Sequence, residues 1–575
     1  MPKILELFSQ KQKNYFFILL FLICVVSILE MASLATIIPI LNSFLGIETT
    51  SKENNFLWFS KFIETESFTP QTFLLLFIFF FIIKTLFSIF VSWKHHNFVF
   101  GFIKSLSFGL YSKYLSQNYS DYSKKNSSEL LRNVLKEMDL FYLHLQSFIQ
   151  VILETIILLG IFVFLVYLLT IPSLAIISLS FILGSIYYFF IKRKLKSWGK
   201  NRQVLEEDRI RLMQEGFSFL KEINFFKRHN FFLNRFRDKN EKFYRIYINF
   251  NFFNSLPRYI FELFTIVLIG FVFFFLLIEG AESDEIIKIL ALFFAASFRI
   301  IPSVYRIFSS LQNLKYTQSA IDVLHLDSKN LNEKNILKNE NKLKFKSKIE
   351  FSIKEFKYDN NLNFKIQNFN LEIKKNQKIG IIGRSGSGKS TILDLFSCVI
   401  TDPEASIKLD GKTITRNEYV SWQKLIGLIP QNIAILNDTL KQNILFGLKD
   451  KVKDDYISDI LKISNLNRLL SRLPSGIDYN ISEKGTNLSG GEIQRIGIAR
   501  ALIFNPEILI FDEATSALDT FTENEILKDI NLLPDKTILM ISHRMNSLKY
   551  CDKIYLIENG RIVDEGPYSK FRDIN

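Results

Sequence analysis

The chain has 575 residues, of which 48% are hydrophobic and 22% are charged, and its formal net charge is +14. This length excludes a single compact domain, and apolar and charged residues in these proportions must be segregated into a membrane part and a soluble part. The three cysteines are far apart and lack metal-ligand spacing, so neither a disulfide framework nor a zinc site is expected.

Crossing a bilayer takes ~20 mostly apolar residues. Six stretches meet this requirement, at roughly 15–45, 72–93, 147–168, 172–191, 257–278 and 286–309. The first is much longer than the core of a cleavable signal peptide, so we expect no cleavage there. Only residues 170–173 separate the third and fourth stretches, which predicts a tight hairpin. The first part of the chain is therefore predicted to form six membrane-spanning helices.

Lysine and arginine are distributed unevenly among the connecting segments. Residues 169–173 and 279–285 contain none, whereas residues 94–146 and 192–256 are rich in them. Because cytoplasmic loops carry the excess of positive charge, both long segments and both termini are predicted to face the cytoplasm. The net charge thus favours basic loops at a membrane surface over nucleic-acid binding. Both segments contain little proline, so the spanning helices are predicted to continue well beyond the bilayer.

Residues 326–347 are rich in Asn, Lys and Glu and predict a linker. After them, short apolar strands such as KIGIIG and EILIFDE alternate with helical stretches. This alternation is typical of an α/β domain with a mostly parallel sheet. The predicted organisation is a six-span α-helical transmembrane domain at 1–325, a linker at 326–347, and an α/β domain at 348–575.

A glycine-rich segment follows the predicted strand KIGIIG and precedes a helical stretch. It matches G-x-x-x-x-G-K-[ST] in the strand–loop–helix context that a P-loop requires. Glycines let backbone N–H groups surround a phosphate, the lysine reaches the outer phosphates, and the following serine ligates Mg²⁺. ATP and Mg²⁺ are therefore the predicted cofactors. The predicted phosphate-binding residues are Gly383, Arg384, Ser385, Gly386, Ser387, Gly388, Lys389, Ser390 and Thr391, with Ser390 also a metal ligand.

The apolar run EILIFDE ends in two carboxylates. Asp512 is predicted to hold Mg²⁺, directly or through water, and Glu513 is predicted to act as general base on the attacking water. The alternative is a buried strand that merely ends in charged residues. The presence of the glycine-rich segment in the same domain favours the catalytic interpretation.

The segment LSGGEIQR, residues 488–495, resembles the signature motif of ABC ATPases, with Glu492 where glutamine is commonest. The other motifs of this family stand in order along the chain. By this resemblance, Gln431 is the Q-loop glutamine with catalytic and metal-binding roles, and His543 is the catalytic switch histidine. Residues 516–519 resemble the D-loop and contribute Asp519 to the nucleotide site, while Tyr358 resembles the aromatic residue that stacks on adenine.

Six spans followed by such a domain resemble the layout of type IV ABC exporters over essentially the whole chain. The resemblance implies that Ser489, Gly490 and Gly491 cap the γ-phosphate held by the P-loop of another protomer. One chain carries one P-loop and one signature, which implies a homodimer with two hydrolysing sites. Coupling to the membrane domain is predicted around residues 119–128 and 216–229, for which a solvated helix surface is the alternative.

The membrane half also resembles the PglK-type flippases of lipid-linked oligosaccharides, in LPRYIFE, ASFRIIPSVYRI, FIIKTLFSIF and NYSDYSKKNSSELL. The resemblance implies a cavity in which basic residues attract the pyrophosphate of the substrate. It also implies a short external helix at residues 56–63 that meets the lipid tail. The implied substrate-binding residues are Lys84, where the group has arginine, Arg258, Arg299 and Arg306.

Other interpretations stay open for these charges. Arg258 is four residues from Glu262 and the two side chains neutralise each other in one alternative. In the same vein, Lys84 pairs with Glu30, and Arg306 extends to the cytoplasmic edge. The predicted function is a flippase or exporter of a lipid-linked oligosaccharide in the bacterial inner membrane, in contact with membrane lipids and without a nucleic-acid partner. The alternatives are export of lipopolysaccharide precursors, other lipids or hydrophobic drugs, and, more distantly, an ATP-gated channel or sensor.

Overall fold

The computed structural model describes residues 2–35, 70–117, 119–122, 125–168, 170–278, 283–329, 343–358, 364–448, 452–482, 485–515 and 518–572. Side chains in several helical segments, among them 30–35, 161–180 and 283–299, lie outside this description. The chain divides into two compact units. The membrane unit comprises Met1–Gln117 and Lys124–Glu333, and the ATP-binding unit comprises Asn118–Ser123 and Lys334–Asn575.

Helices make up the described part of the membrane unit. They are α1 (Pro2–Leu7), α2 (Gln10–Ala35), α3 (Pro70–Ser116), α5 (Ser127–Leu168), α6 (Thr170–Ser218), α7 (Leu220–Phe226), α8 (His229–Ile278), α9 (Ser283–Tyr316) and α10 (Gln318–Ser328), while the short α4 (Tyr119–Tyr122) belongs to the ATP-binding unit. The six predicted spans fall on α2, α3, α5, α6, α8 and α9. A search confined to described residues finds four segments long and apolar enough to cross a membrane, Gln10–Leu29, Ile78–Ser116, Ser127–Gly160 and His229–Phe271.

The long helices continue past the bilayer, as the basic segments predict. Helix α3 has 47 residues and α8 has 50. At a rise of ~1.5 Å per residue each is about 70 Å long, whereas the hydrocarbon core is about 30 Å thick. The extensions of α5 and α6 are joined by ion pairs, since Glu137 on α5 accepts from Arg202 on α6 at 2.9 Å, and Arg132 on α5 pairs with Glu207 on α6. These polar contacts fix the two helices beyond the apolar stretches.

Three predicted boundaries are wrong. The residues assigned to a hairpin turn, 170–173, form the first turn of α6, where Pro172 lacks only an N–H that would have no helical partner. The acidic loop at 279–285 is shorter than predicted, because α9 already begins at Ser283. The linker assigned to 326–347 begins too early, because α10 continues to Ser328.

The ATP-binding unit is built on two sheets. Its strands are β1 (Lys348–Lys357), β2 (Lys365–Lys374), β3 (Lys378–Ile382), β4 (Ala405–Leu409), β5 (Lys412–Thr413), β6 (Ile426–Ile429), β7 (Ile508–Asp512), β8 (Thr537–Ile541), β9 (Lys553–Glu558) and β10 (Arg561–Gly566). One sheet has the order β10-β9-β3-β8-β7-β6 and is parallel except for β10. The second, β2-β1-β4-β5, is antiparallel and was not predicted.

Helices cover the parallel sheet. They are α11 (Lys389–Phe396), α12 (Tyr419–Gln423), α13 (Leu440–Leu445), α14 (Asp454–Ile463), α15 (Asn467–Arg472), α16 (Gly490–Leu502), α17 (Thr520–Asn531) and α18 (Tyr568–Phe571). Strands β7 and β8 are almost continuously apolar because both faces of the sheet are buried. Polar residues that follow β3, β6, β7 and β8 lie at the carboxyl ends of parallel strands, the edge at which open α/β sheets bind ligands.

Candidate nucleotide site

The loop between β3 and α11 has a backbone that requires glycine at particular positions. Gly386 and Gly388 have φ values of +80° and +99°, which L side chains rarely adopt. A Cβ atom on Gly383 would lie 2.2 Å from the carbonyl oxygen of Ile557. The sequence therefore folds as the strand, loop and helix that were predicted, with N–H groups free of bulky side chains around the loop.

The P-loop lysine is buried inside this loop. Lys389 is 5% exposed, and its Nζ donates to the carbonyl oxygens of Gly383 (2.9 Å) and Arg384 (3.0 Å). Burial lowers the pKa of Lys389, and the nearby Glu513 and Asp512 carboxylates oppose that shift. The described hydrogen bonds of this buried ammonium go only to neutral carbonyl oxygens. It can therefore exchange them for the oxygens of an anion.

A second feature of the loop fits a phosphate. The hydroxyl of Ser387 is buried and has no hydrogen-bond partner among the described residues. Buried hydroxyls are normally paired, so this one indicates a place for a ligand oxygen. Together with Lys389 and the glycine backbone, it forms a cradle suited to the phosphates of a nucleotide.

Two of the three predicted metal ligands lie side by side. The hydroxyl of Ser390 donates to Oδ1 of Asp512 at 3.3 Å. Burial raises the pKa of Asp512, against the opposing effects of the Ser390 hydrogen bond and Lys389. One carboxylate and one hydroxyl, completed by phosphate oxygens and water, are a donor set that Mg²⁺ accepts. The amide of Gln431 points instead to Glu513, so its role as a metal ligand stays a prediction.

The three predicted catalytic residues come together although they follow three different strands. Oε2 of Glu513 accepts from Nε2 of Gln431 at 2.8 Å, and its Oε1 lies 2.7 Å from Nε2 of His543. Glu513 also has a φ of +49°, an uncommon conformation for a residue other than glycine and one that clusters at functional sites. A carboxylate held by two donors in this way has a fixed orientation, as a general base needs.

The predicted adenine-stacking residue lies next to the P-loop helix. The hydroxyl of Tyr358 is 3.2 Å from Oγ1 of Thr391, and the residue is 39% exposed. Its ring centroid lies 6.2 Å from that of Phe364. The exposed ring is available to a base, and stacking itself stays a prediction.

The signature residues begin helix α16. Ser489 is its N-cap, and Ser489 and Glu492 form a reciprocal capping box. The second oxygen of Glu492 accepts from Nη2 of Arg472 at 2.5 Å, a partner that sequence reasoning missed. Gly490 and Gly491 form the first turn of α16, and Asp519 caps α17 by accepting from the backbone N–H of Thr522 at 3.0 Å. The contacts described for these residues are local, and residues 516 and 517 lie outside the described part.

Two of the four predicted substrate residues are already paired with carboxylates, so they are less available to a ligand than expected. Nη1 of Arg306 lies 2.6 Å from Oε1 of Glu154, whose side chain is fully buried. The Glu154 partner was missed, although a carboxylate within an apolar stretch was a visible signal. Nε of Arg258 lies 2.8 Å from Oε1 of Glu262, and both side chains are exposed, as the pairing alternative proposes.

The other membrane predictions remain as they were. The ammonium of Lys84 lies 5.1 Å from the ring centroid of Phe81, a cation–π contact. The side chains of Arg299 and Glu30, and the external helix predicted at 56–63, lie outside the described residues. A cavity role for the four basic residues therefore stays a prediction.

A P-loop cradle, a paired hydroxyl and carboxylate, and an oriented glutamate define a P-loop nucleotide-binding unit, joined here to a unit of long apolar helices. Residues 366–516 match the family model described as ABC transporter, and residues 14–300 match the model described as ABC transporter transmembrane region. The two matches together span most of the chain. The chain belongs to the ABC transporter family.

Curated relatives match only part of their length. A protein of Rickettsia typhi named as an export ATP-binding/permease protein is 40% identical over 222 residues, 38% of each chain. A multidrug export ATP-binding/permease protein of Staphylococcus aureus is 37% identical over 214 residues, 37% of each chain. The ATP-dependent lipid A-core flippase of Vibrio parahaemolyticus is 36% identical over 205 residues, 36% of this chain and 35% of the relative. The matched segment thus spans less than two fifths of each relative.

The fold can be compared over the full length. The structure of a bacterial Atm1-family ABC exporter with ATP bound has a TM-score of 0.76, covering 98% of this chain and 97% of that one at 18% identity. This likeness confirms the predicted fold class, a helical transmembrane domain followed by an α/β P-loop nucleotide-binding domain in the arrangement of an ABC exporter.

Proposed function

We propose that this chain is one half of a homodimeric, ATP-driven transporter that flips or exports a lipid-linked oligosaccharide across the bacterial inner membrane, with the ATP-binding domain in the cytoplasm. The observation that carries the ATPase proposal is Glu513, held by Gln431 and His543 beside the Lys389 loop. The working division is a transmembrane domain that extends to the end of α10 at Ser328, a linker that follows it, and an ATP-binding domain at 348–575.

Hydrolysis is assigned to residues of this chain. The loop backbone, Lys389 and Ser387 bind the phosphates. Ser390 and Asp512 would hold Mg²⁺, which would neutralise charge on the phosphate oxygens. Glu513 orients the attacking water and accepts its proton, while Gln431 and His543 fix the carboxylate in place. These residues account for the binding of phosphate and metal and for the activation of water. They do not account for stabilisation of the terminal phosphate from its far side.

That missing contribution supports a homodimer. The chain has one P-loop and one signature segment, and Ser489 lies at the N-terminus of α16, where an anion is favoured by the helix dipole. A second copy of the chain would present its Ser489, Gly490 and Gly491 to the ATP held here. Closure of two such copies around two ATP molecules, followed by their separation after hydrolysis, is the proposed power stroke.

The motion must reach the membrane helices. Short α4, Tyr119–Tyr122, falls within the predicted coupling segment 119–128, and its two tyrosine side chains are exposed. In the other coupling segment, 216–229, the aromatic side chains of Phe217, Phe225 and Phe226 are exposed. Exposed aromatic residues between basic ones are typical of an interface, and both segments are proposed as the contacts through which hydrolysis moves the membrane domain.

The cargo proposal rests on the resemblance of the membrane half and on the basic residues Lys84, Arg258, Arg299 and Arg306. Because Arg306 is paired with Glu154, a pyrophosphate headgroup would have to displace a buried carboxylate before it could bind Arg306. Planar guanidinium groups bind phosphate oxygens in two-pronged fashion, which favours such an exchange. The neutralised pairs favour, as second candidate, a less charged lipid or hydrophobic drug.

The deciding experiment uses purified protein in liposomes. A fluorescent lipid-linked oligosaccharide is reconstituted with the wild-type chain or with Glu513→Gln, and the labelled lipid in each leaflet is measured with and without ATP. The proposal expects ATP-dependent movement by the wild type alone. Movement of a fluorescent uncharged lipid or a hydrophobic dye, without movement of the oligosaccharide lipid, would favour the second candidate. Ion conductance without lipid movement would favour a channel.

A further inference from the structure

The signature helix of this chain carries a negative charge at a position where an anion is proposed to bind. Glu492 is the third residue of α16 and is 5% exposed. Its Oε2 accepts from the backbone N–H of Ser489 at 2.7 Å and from the Ser489 hydroxyl at 3.0 Å. The serine proposed to donate to a γ-phosphate therefore already donates to a carboxylate.

Glu492 is ionised at neutral pH. Burial by itself would raise its pKa, but hydrogen bonds from Ser489 and the charge of Arg472 hold the pKa below its ordinary value. A glutamine at this position would make the same backbone contact without charge. In this chain an approaching phosphate meets a carboxylate that repels it and competes for the serine hydroxyl.

The position of Arg472 counteracts both the repulsion of the phosphate and the competition for the serine hydroxyl. Its Nη2 lies 2.5 Å from Oε1 of Glu492, the oxygen that does not contact Ser489. Arg472 is the last residue of α15, and the segment just before α15 is held against α16 by the Arg495 guanidinium, which donates to the carbonyl oxygen of Asn465 at 3.3 Å. The Arg472 side chain is 64% exposed and that of Glu492 is 7% exposed, so the ion pair has one buried and one accessible partner.

We propose that Arg472 is a positioning residue for ATP: it neutralises Glu492 so that the N-terminus of α16 can accept the γ-phosphate bound by a second copy of the chain. This inference rests on the proposed function, since it needs a composite site shared by two protomers. It makes the glutamate and the arginine a matched pair. A chain with glutamine at 492 has no need of a positive charge at 472.

The test measures ATPase activity against ATP concentration, with ADP affinity measured in parallel. Arg472→Gln should raise the KM for ATP about threefold to tenfold, the range expected for an ion pair with one buried partner, with a smaller change in kcat. ADP lacks the γ-phosphate, so its affinity should not change. Arg472→Lys should give an intermediate KM. Arg468→Gln, on an exposed arginine of the same helix, is the matched control and should leave the KM unchanged.

The double variant decides between positioning and general structural support. In a Glu492→Gln background, Arg472→Gln should no longer change the KM for ATP. The proposal is overturned if the KM rises equally in both backgrounds, if ADP affinity falls together with ATP affinity, or if Arg472→Gln has no effect. Failure of the proposed function looks different, because then the wild type hydrolyses no ATP, or Glu513→Gln hydrolyses it at the wild-type rate.

Discussion

The two units of this chain hold their functional charges in opposite ways. In the ATP-binding unit, the described partners of the Lys389 ammonium are two neutral carbonyl oxygens, and the hydroxyl of Ser387 has no partner among the described residues. In the membrane unit, the guanidinium groups of Arg258 and Arg306 each contact a carboxylate. A charge whose contacts are neutral groups can bind a ligand of opposite sign directly, whereas a charge that is already paired must lose its partner before it can bind one.

The two units therefore differ in what a phosphate must displace before it can bind. The ATP-binding unit needs no rearrangement of ion pairs among the described residues of its P-loop before phosphate binds. The membrane unit does, and the energy for that exchange is available either from an anionic cargo or from a conformational change.

The largest effect is expected from Glu513→Gln. The substitution keeps the shape of the side chain but replaces one acceptor oxygen with an amide NH2, which can accept neither a proton nor a hydrogen bond, so hydrolysis should fall by about two to four orders of magnitude. ATP binding should persist, and the variant should accumulate as an ATP-bound closed dimer. Phosphate release and retained nucleotide are the measurements. Glu558→Gln, at an exposed strand end, is the control, and near-normal turnover by Glu513→Gln would refute the general-base role.

Complementation tests whether the site is shared between protomers. Lys389→Ala removes the phosphate-binding ammonium, and Ser489→Arg blocks the signature helix, so each variant alone should be inactive. A mixed dimer has one composite site with both halves intact and should recover ATPase activity. Activity is measured on mixtures co-expressed with two different affinity tags. Full activity of Ser489→Arg alone would contradict sharing, and so would inactive mixed dimers, provided that a single intact site suffices for turnover.

The pair of Arg306 and Glu154 should respond to single and double substitution differently. Arg306→Gln strands a buried carboxylate and should lower the free energy of unfolding by roughly 1–3 kcal/mol, less than for a fully buried pair because Arg306 is partly exposed. Adding Glu154→Gln should recover the lost free energy of unfolding, because the buried carboxylate is then absent. Thermal unfolding in detergent measures both.

The same pair tests the cargo. Glu154→Gln alone leaves Arg306 without its carboxylate, so a pyrophosphate lipid should bind better and its half-saturating concentration in the flipping assay should fall. Glu154→Gln with Arg306→Gln should lose that gain, while ATPase activity without cargo stays the same. An unchanged response to lipid in both variants would remove Arg306 from the cargo path.

The smallest effect is expected at the exposed pair. Arg258→Gln should leave the unfolding temperature unchanged within error, because the side chains of Arg258 and Glu262 are both exposed and the substitution leaves no buried charge unpaired. It therefore serves as the matched comparison for Arg306→Gln. A loss of stability as large as that of Arg306→Gln would show that the environment of Arg258 differs from the exposed one described here.

Much of the nucleotide site could be predicted from the sequence because its signals are local. The P-loop needs glycines at fixed spacing before Lys389, and the carboxylates Asp512 and Glu513 follow an apolar strand. These patterns report backbone geometry and strand ends directly. The membrane spans are predictable for a similar reason, since their length follows from the thickness of the bilayer.

The predictions that failed or were absent concern residues that are distant along the chain or boundaries that packing shifts. Glu154 and Arg306 are 152 positions apart, and Glu492 and Arg472 are 20 apart on separate helices. The antiparallel sheet was not predicted either, although β1 alternates in burial, because the sequence of a single strand does not specify which strand it pairs with.

By itself, the sequence determined the class of this protein: membrane helices of sufficient length, then a P-loop, a strand ending in Asp512 and Glu513, and a signature segment in order. Only the tertiary structure decided which charges are neutralised and which remain available to a ligand. The physical reason is that the electrostatic state of a side chain depends on what lies within a few ångströms of it. Arg306 and Glu492 have such neighbours on other helices, Glu154 and Arg472, whose approach no local pattern specifies. The Arg258–Glu262 pair lies within one helix, and its spacing could be read from the sequence.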